Sequence, residues 1–529
     1  MKKRLIIIGL MFCVIFSVLC VRLGKISMNS EYAQLSAKQN TKTITVGSEN
    51  ANIYDYKYKS FVNQNKKLYA VVFPSEDSNS MIKEYAVNPE DIEVDAEAAY
   101  ICEVKSKINT NDIITVSVPE RYDENQLAAH LIGYTSENTG VCGIEYAYDE
   151  FLRSYENKNK ISYLCDGYGE LVLGEKNIEE MQEMKAGVVT TLDYEIQKVC
   201  EKEAKNYLKK GAIVVMDVKT GEIRSMVSCP SFSVFDLEKS LDDTENTPLI
   251  NRALCAYNLG SIFKLTTAAS ALEQGLDLHE EYNCDGAINV EGQKFTCHEI
   301  NGHGLMNMKS AIVNSCNTYF INLGLKVNSS RLLWTASALS YGREIYLCDG
   351  IYSQGGYLQT LSELENPAEK ANLSFGQGRL LATPLQVAQM TCAFANEGKV
   401  PSASLIKGVT EDGKTLSKSE DTGCFTQGIS SKAADTVKEY MIAMVEDENN
   451  AAAKPALVTA GGKTATAQTG KYADDGHEIL NCWFTGFFPA DNPEYVITIM
   501  QEDGTYSLKD CGAIFARIAD SVYENILTK

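Results

Sequence analysis

Hydrophobic residues are distributed along this chain in three regimes. Met1-Lys-Lys-Arg4 opens onto Leu5 to Val21, which carries no charge and is closed by Arg22 and Lys25. A run of that length sits at the lower edge of what spans a bilayer as a helix, and the basic cluster ahead of it belongs on the cytoplasmic side. No small-residue cleavage pattern follows, and Leu19 precedes Cys20 where a lipoprotein needs a small residue. The segment therefore reads as an uncleaved single-pass anchor at the cell membrane. No second such run follows it, which puts residues from about 26 onward outside the cytoplasm.

From residue 31 to about 185 the chain is polar and loop-rich, with short strand signals at Lys42-Thr-Ile-Thr-Val46 and Leu68-Tyr-Ala-Val-Val-Phe73. Leu127-Ala-Ala-His-Leu-Ile-Gly-Tyr134 and Gly143-Ile-Glu145 look like folded elements. A lone His such as His130 on an apolar stretch reads as packing. This region is expected to be a pedestal that holds the next domain off the membrane.

The pattern changes at Met184-Lys-Ala-Gly187. Ile196, Cys200, Ala204 and Leu208 recur at helical spacing; Ala212 to Asp217, the turn Lys219-Thr-Gly221 and Glu222 to Val227 form a hairpin. Near the end, Gly461 to Gln468, Cys482 to Phe488 and Tyr495 to Met500 read as strands, and Ile514, Ile518, Val522 and Ile526 as a closing amphipathic helix. Strands from both ends of one domain with helices between them predict an α+β layering around an antiparallel sheet. The expected division is 1–25 anchor, 26–186 pedestal and 187–529 main domain.

Charge narrows the function. The 529 residues carry a formal net charge of −21, which argues against nucleic acid as a partner, since phosphate binding needs a basic face. Of 16 cysteines, two lie in the anchor. Cys284 and Cys297 bracket a turn-like segment and are the first candidate disulfide, with two free thiols as the alternative. Cys297-His298 with His303 hints at a metal set, but no neighbour in sequence completes a tetrahedron, and no metal is assigned.

Candidate chemistry centres on Tyr257-Asn-Leu-Gly-Ser-Ile-Phe-Lys264, a tight turn at Gly260 feeding a helix whose first turn carries Ser261 and Lys264. Three residues apart, the two side chains share a helical face. A serine hydroxyl becomes a competent nucleophile when a neighbouring base takes its proton, and Lys264 is such a base once burial holds it neutral. Ser-x-x-Lys alone is weak, because roughly two matches arise by chance in a chain this long. Two further elements raise its weight. Ser315-Cys-Asn317 offers a hydroxyl to relay a proton and a carboxamide to hold a substrate amide. Gly461-Gly-Lys-Thr-Ala-Thr-Ala-Gln468 enters a strand carrying Lys463, Thr464 and Thr466, a cation and two hydroxyls suited to a carboxylate beside an edge that can pair with a peptide.

Ser-x-x-Lys, Ser-x-Asn and Lys-Thr-x in this order resemble the signature of penicillin-binding proteins and serine β-lactamases. The flanks resemble the class B, monofunctional penicillin-binding proteins: Val215-Met-Asp217 with Thr220-Gly-Glu222, Pro230-Ser-Phe232, His303-Gly304, Gly376-Gln-Gly378 and Thr383-Pro-Leu-Gln386. The resemblance implies a penicillin-binding, serine β-lactamase-like fold and a D,D-transpeptidase that cross-links peptidoglycan stem peptides and is acylated by β-lactams. It implies Ser261 as nucleophile, Lys264 as base, Ser315 as relay, Asn317 on a substrate amide, and Lys463, Thr464 and Thr466 on the terminal carboxylate. The backbone N–H groups of Ser261 and Thr466 would form the oxyanion hole. No cofactor is implied, and the partner is a separate membrane glycosyltransferase of the division or elongation type. Two departures stand out. Ala465 replaces the usual Gly, its methyl on the same strand face as Lys463, and Gly47-Ser-Glu-Asn lacks the Arg-Gly pair common ahead of the Ile53-Tyr-Asp run. A catalytically impaired scaffold or sensor, and a hydrolase of β-lactams or D-Ala-D-Ala ends, are the alternatives.

Overall fold

The computed structural model describes residues 2–28, 40–92, 98–165, 171–277, 279–420, 423–473 and 475–528. Its first element, α1 (Lys2–Ser27), is a single exposed apolar helix long enough to cross a membrane. The chain forms two compact units: residues 1–50, 63–121 and 156–184 make the first, and 51–62, 122–155 and 185–529 the second.

The first unit is built from two small sheets. Thr41–Glu49 pairs with Asn157–Cys165, which pairs with Leu171–Glu179; Lys66–Val72 lies between Tyr100–Val104 and Ile113–Pro119. Val46, Val71, Phe73, Ile114, Val116, Val118 and Ile161 share one buried core, and Ala70 and Val72, on the other face of the Lys66–Val72 strand, belong to a second, so both strand signals seen in the sequence are strands.

The second unit is an α+β domain. Helix α2 (Tyr194–Tyr207) starts because Asp193 accepts hydrogen bonds from the N–H groups of Glu195 and Ile196, and it buries Ile196, Cys200 and Ala204. The hairpin β1 (Gly211–Asp217) and β2 (Ile223–Cys229) follows. Next come α3 (Phe263–Glu273), α4 (Asn317–Lys326), α5 (Pro384–Ala395) and α6 (Ser431–Glu446), then the strands β3 (Gly461–Tyr472), β4 (Glu478–Phe488) and β5 (Tyr495–Gln501) and the closing α7 (Ala513–Val522). The five strands form one antiparallel sheet in the order β2-β1-β5-β4-β3, so the first and last parts of the domain meet at β1–β5 and β3 is an edge.

Alternation sorts the sheet's two faces. Ile213, Val215, Phe484, Ile497 and Ile499 join Ile196, Phe515 and Ile518 of α2 and α7 in one core. The other face carries Val214, Trp483, Thr485 and Thr498, where Thr485 bonds Thr391 of the wholly buried α5 at 2.7 Å. The Thr383-Pro-Leu-Gln386 motif is the start of that helix. Thr383 and Gln386 close a capping box and Pro384 fills the first turn. His130, read as a packing residue, is half-buried with its ring edge-on to Phe232, bonds the carbonyl of Pro248 at 2.7 Å, and is pushed down to about 4 by desolvation, so it stays neutral.

Candidate active site

Gly260 has φ +68°, and a Cβ there would lie 3.1 Å from the Ala467 Cβ and 3.3 Å from the Thr466 carbonyl oxygen. The turn needs glycine both for its left-handed backbone and for its close approach to β3. Ser261 sits in the short 3₁₀ turn Gly260–Ile262, and α3 begins two residues later. The sequence expectation put Ser261 inside the first α-helical turn; in the structure it precedes that turn, while Lys264 lies within it.

Lys264 is fully buried. Its Nζ lies 2.6 Å from the Ser315 carbonyl oxygen, 2.7 Å from the Asn317 Oδ1 and 3.1 Å from the Ser315 Oγ; a neutral amine donates its two N–H bonds to the two nearer acceptors. First and second motifs thus meet at one amine. Burial, and then the charge of Lys463, hold Lys264 well below the ordinary lysine value. Ser315 has φ +52°, a left-handed conformation that costs a non-glycine residue about 1–3 kcal/mol and persists where its surroundings over-determine it. The carbonyl that this geometry turns toward Lys264 is one such constraint.

The third motif lies on the edge strand, as a peptide-pairing role requires. Lys463 and Ala465 are buried and pair across β4 with Thr485 and Trp483. Lys463 therefore shares the α3 side of the sheet, where burial pushes it down to about 7; its Nζ donates to the Thr464 carbonyl at 3.2 Å. Thr464 is half-buried and Thr466 exposed on the opposite face, where the Thr466 Oγ1 bonds the Ser507 Oγ at 3.2 Å.

Sequence inspection missed several contributors. Ser507 carries no motif. Arg252 is almost wholly buried and pairs through Nε with Glu502 at 2.9 Å; Tyr257 donates its hydroxyl to the same Glu502 oxygen at 2.9 Å, and Trp483 Nε1 donates to the Asn258 carbonyl at 2.9 Å. These contacts pin the two residues that lead into the Ser261 turn, and only folding brings them together. The candidate Cys284–Cys297 disulfide is corrected, since both are free thiols. Two further donors join the Cys297 and His303 pair noted in the sequence. Cys284, Cys297, His303 and Cys316 bring their ligand atoms within 4.8 Å of one another, a four-donor set scattered over 33 residues of sequence and therefore invisible as a local motif.

With this geometry in view, comparison with known proteins is decisive. Residues 211–520 match the penicillin binding protein transpeptidase domain. The chain belongs to the penicillin-binding protein transpeptidase family. It is 26% identical to Stage V sporulation protein D of Bacillus subtilis over 99% of this chain and 85% of that protein. It is also 26% identical to the peptidoglycan D,D-transpeptidase MrdA of Acinetobacter baumannii over 78% and 66%. A chain of a peptidoglycan synthase complex, described as coordinating polymerization and crosslinking, superposes with a TM-score of 0.72 at 23% identity, covering 99% of this chain and 98% of that one. These relatives put the penicillin-binding protein among the class B members, and it is a serine-type acyl-transfer enzyme with an apolar helix suited to a membrane anchor.

Proposed function

We propose that Ser261 is the nucleophile with which this protein cross-links peptidoglycan stem peptides. The observation that carries the reading is the buried Lys264 amine, held by acceptors from Ser315 and Asn317 and kept in the neutral form by burial. Neutral Lys264 takes the Ser261 proton as Oγ attacks the carbonyl of the penultimate D-Ala. The tetrahedral oxyanion forms against the backbone N–H groups of Ser261 and Thr466. As the C–N bond breaks, the proton passes through the Ser315 hydroxyl to the departing D-Ala amine, leaving an ester on Ser261. An amine from a second stem peptide then attacks that ester while Lys264 accepts its proton; the acyl C–O bond breaks, Lys264 returns the proton to the Ser261 Oγ, and the new amide joins the two stems.

Asn317 holds the donor peptide's amide, and Lys463, Thr464 and Thr466 hold its terminal carboxylate. An anionic ligand here would also return charge to Lys463. A β-lactam offers the same carboxylate and a strained amide, so it esterifies Ser261. The anchor, residues 1–25, leaves its basic tip in the cytoplasm, residues 26–186 supply the pedestal, with 51–62 and 122–155 folding into the second unit, and residues 187–529 act outside the membrane beside a separate glycan-polymerising partner. Incubating the detergent-solubilised chain with a fluorescent penicillin tests the chemistry. One drug mass on the peptide containing Ser261, absent in Ser261→Ala, is expected. A folded, unlabelled wild type would refute it and favour the scaffold reading.

A further inference from the structure

The loop of residues 502–506 joins β5 to the helical turn Leu508–Gly512 and is held at three points. At its start Glu502 accepts from Arg252 and Tyr257. In its middle the Gly504 N–H donates to the Leu480 carbonyl of β4 at 3.0 Å, and a Cβ there would lie 2.6 Å from the Cys482 Sγ. At its end the Asp510 Oδ2 accepts the N–H groups of Thr505 and Tyr506 at 2.7 and 2.8 Å. Ser507 comes next and is buried. Its place is therefore set by the loop.

The Ser507 hydroxyl is not used locally. The residue stands at the N-cap of Leu508–Gly512, where a serine ordinarily accepts from the first N–H groups of its helix. Its φ of −53° and ψ of −34° are already helical, and no side-chain cap bond forms. The Oγ instead accepts the Thr466 hydroxyl at 3.2 Å, from a residue 41 positions away. Thr466 is exposed on the edge strand β3. Cys482, opposite it on β4, is an uncharged neighbour, since burial pushes its thiol up to about 12.

A lone hydroxyl on an open strand edge rotates freely, and ordering it on a ligand costs entropy. A second, fixed hydroxyl behind it removes that freedom. Each oxygen can donate one hydrogen bond and accept others, so the pair can run in either direction. With a carboxylate beside β3, Ser507 donates to the Thr466 oxygen and Thr466 donates outward to the carboxylate. Both hydroxyls keep their protons, and each bond of such a chain strengthens the next.

We propose that Ser507 is the positioning residue for carboxylate recognition: it backs Thr466 and turns the Thr466 O–H onto the terminal carboxylate of a stem peptide or a β-lactam. Ser507 acts through Thr466 and does not itself touch the substrate. The assignment rests on the Ser261 acylation reading and on the carboxylate role given there to Thr466. The same short loop carries Glu502 against the strand that leads into Ser261, so one segment steadies both the carboxylate clamp and the nucleophile's approach.

The test uses the full chain in detergent and one fluorescent penicillin in two forms, the free acid and its methyl ester. Ser507→Ala should lower the acid-to-ester ratio of acylation constants about fivefold or more, the scale of one hydrogen bond. On a Thr466→Val background the same substitution should move that ratio by less than about 1.5-fold, because the hydroxyl it acts through is gone. Thermal unfolding establishes that each variant is folded; should Ser507→Ala not fold, Ser507→Cys, close in shape and a weak donor, should lower the ratio in the same direction. Equal losses for acid and ester, a ratio unchanged from wild type, or as large a fall in the Thr466→Val background would overturn the assignment while leaving Ser261 labelling intact. A folded wild type that neither form labels would refute the Ser261 reading and the assignment with it.

Discussion

Gly376 stands directly against Gly260: the Gly260 N–H donates to the Gly376 carbonyl at 2.9 Å, and a Cβ on Gly376 would lie 1.8 Å from the Gly260 oxygen. The Gly376-Gln-Gly378 motif thus supports the nucleophile's turn from behind. Gly376→Ala, at φ +85°, must push that turn toward β3, where Gly260 already has no room. The expected outcome is a loss of about 1–3 kcal/mol of stability and a fall in acylation rate of about 10–100-fold, because small misplacements of a reacting group are costly. Thermal unfolding and penicillin-labelling kinetics on the same sample check both.

The two lysines predict a bell-shaped pH dependence for the second-order acylation constant, which reports free-enzyme groups. Lys264 must be neutral to take the Ser261 proton. Its amine is held well below the usual 10.5, so activity rises with pH far to the acid side of an ordinary lysine. Lys463 must be charged to attract a carboxylate, and burial brings it to about 7, so activity falls again above neutrality. A β-lactam ester lacking the free carboxylate should lose the alkaline limb and keep the acid one. Identical limbs for acid and ester would remove Lys463 from carboxylate recognition.

Glu502 neutralises Arg252 beneath the strand that leads into the Ser261 turn. Removing its carboxylate in Glu502→Ala leaves a buried guanidinium whose partners among the described residues are carbonyls and a hydroxyl of Asn246 and Thr247. Breaking a buried pair from one side costs about 3–5 kcal/mol; Glu502 is one-quarter exposed, so about 2–3 kcal/mol is expected. Glu502→Gln, which can still accept from both Arg252 and Tyr257, should recover most of it. Equal stability of the two variants in chemical denaturation would show that the carboxylate does not hold this strand.

Much of this was legible in the sequence because it is local or periodic. The hairpin at residues 211–229, the helix over Ile196 to Ala204 and the three closing strands each declare themselves through alternation or a 3.6-residue period. The three motifs were found because each chemical role needs particular residue types within a few positions. What stayed hidden depends on chain closure. Cys284 and Cys316 are 32 residues apart, and Arg252 and Glu502 are 250 apart, so no window contains both partners. The start of α3 was misplaced because periodicity cannot separate a 3₁₀ turn from the α-helix it precedes.

Ala465 is the departure from family pattern on which the scaffold alternative leaned, and the packing makes it testable. The residue is 2% exposed and pairs with Trp483, on the same face as Lys463. β3 comes close to the nucleophile's turn where Gly260 faces Ala467 and the Thr466 carbonyl, at 3.1–3.3 Å from the Cβ it lacks. That contact, two residues beyond Ala465, brings strand and turn together without calling on the Ala465 methyl. Ala465→Gly should cost about 0.5–1 kcal/mol through backbone freedom and change the acylation rate by less than about threefold, under 0.7 kcal/mol in barrier. Stopped-flow labelling with a fluorescent penicillin measures it. A gain of about tenfold or more would mean that the methyl narrows the groove in the native protein, and that this penicillin-binding protein is tuned toward slow acylation.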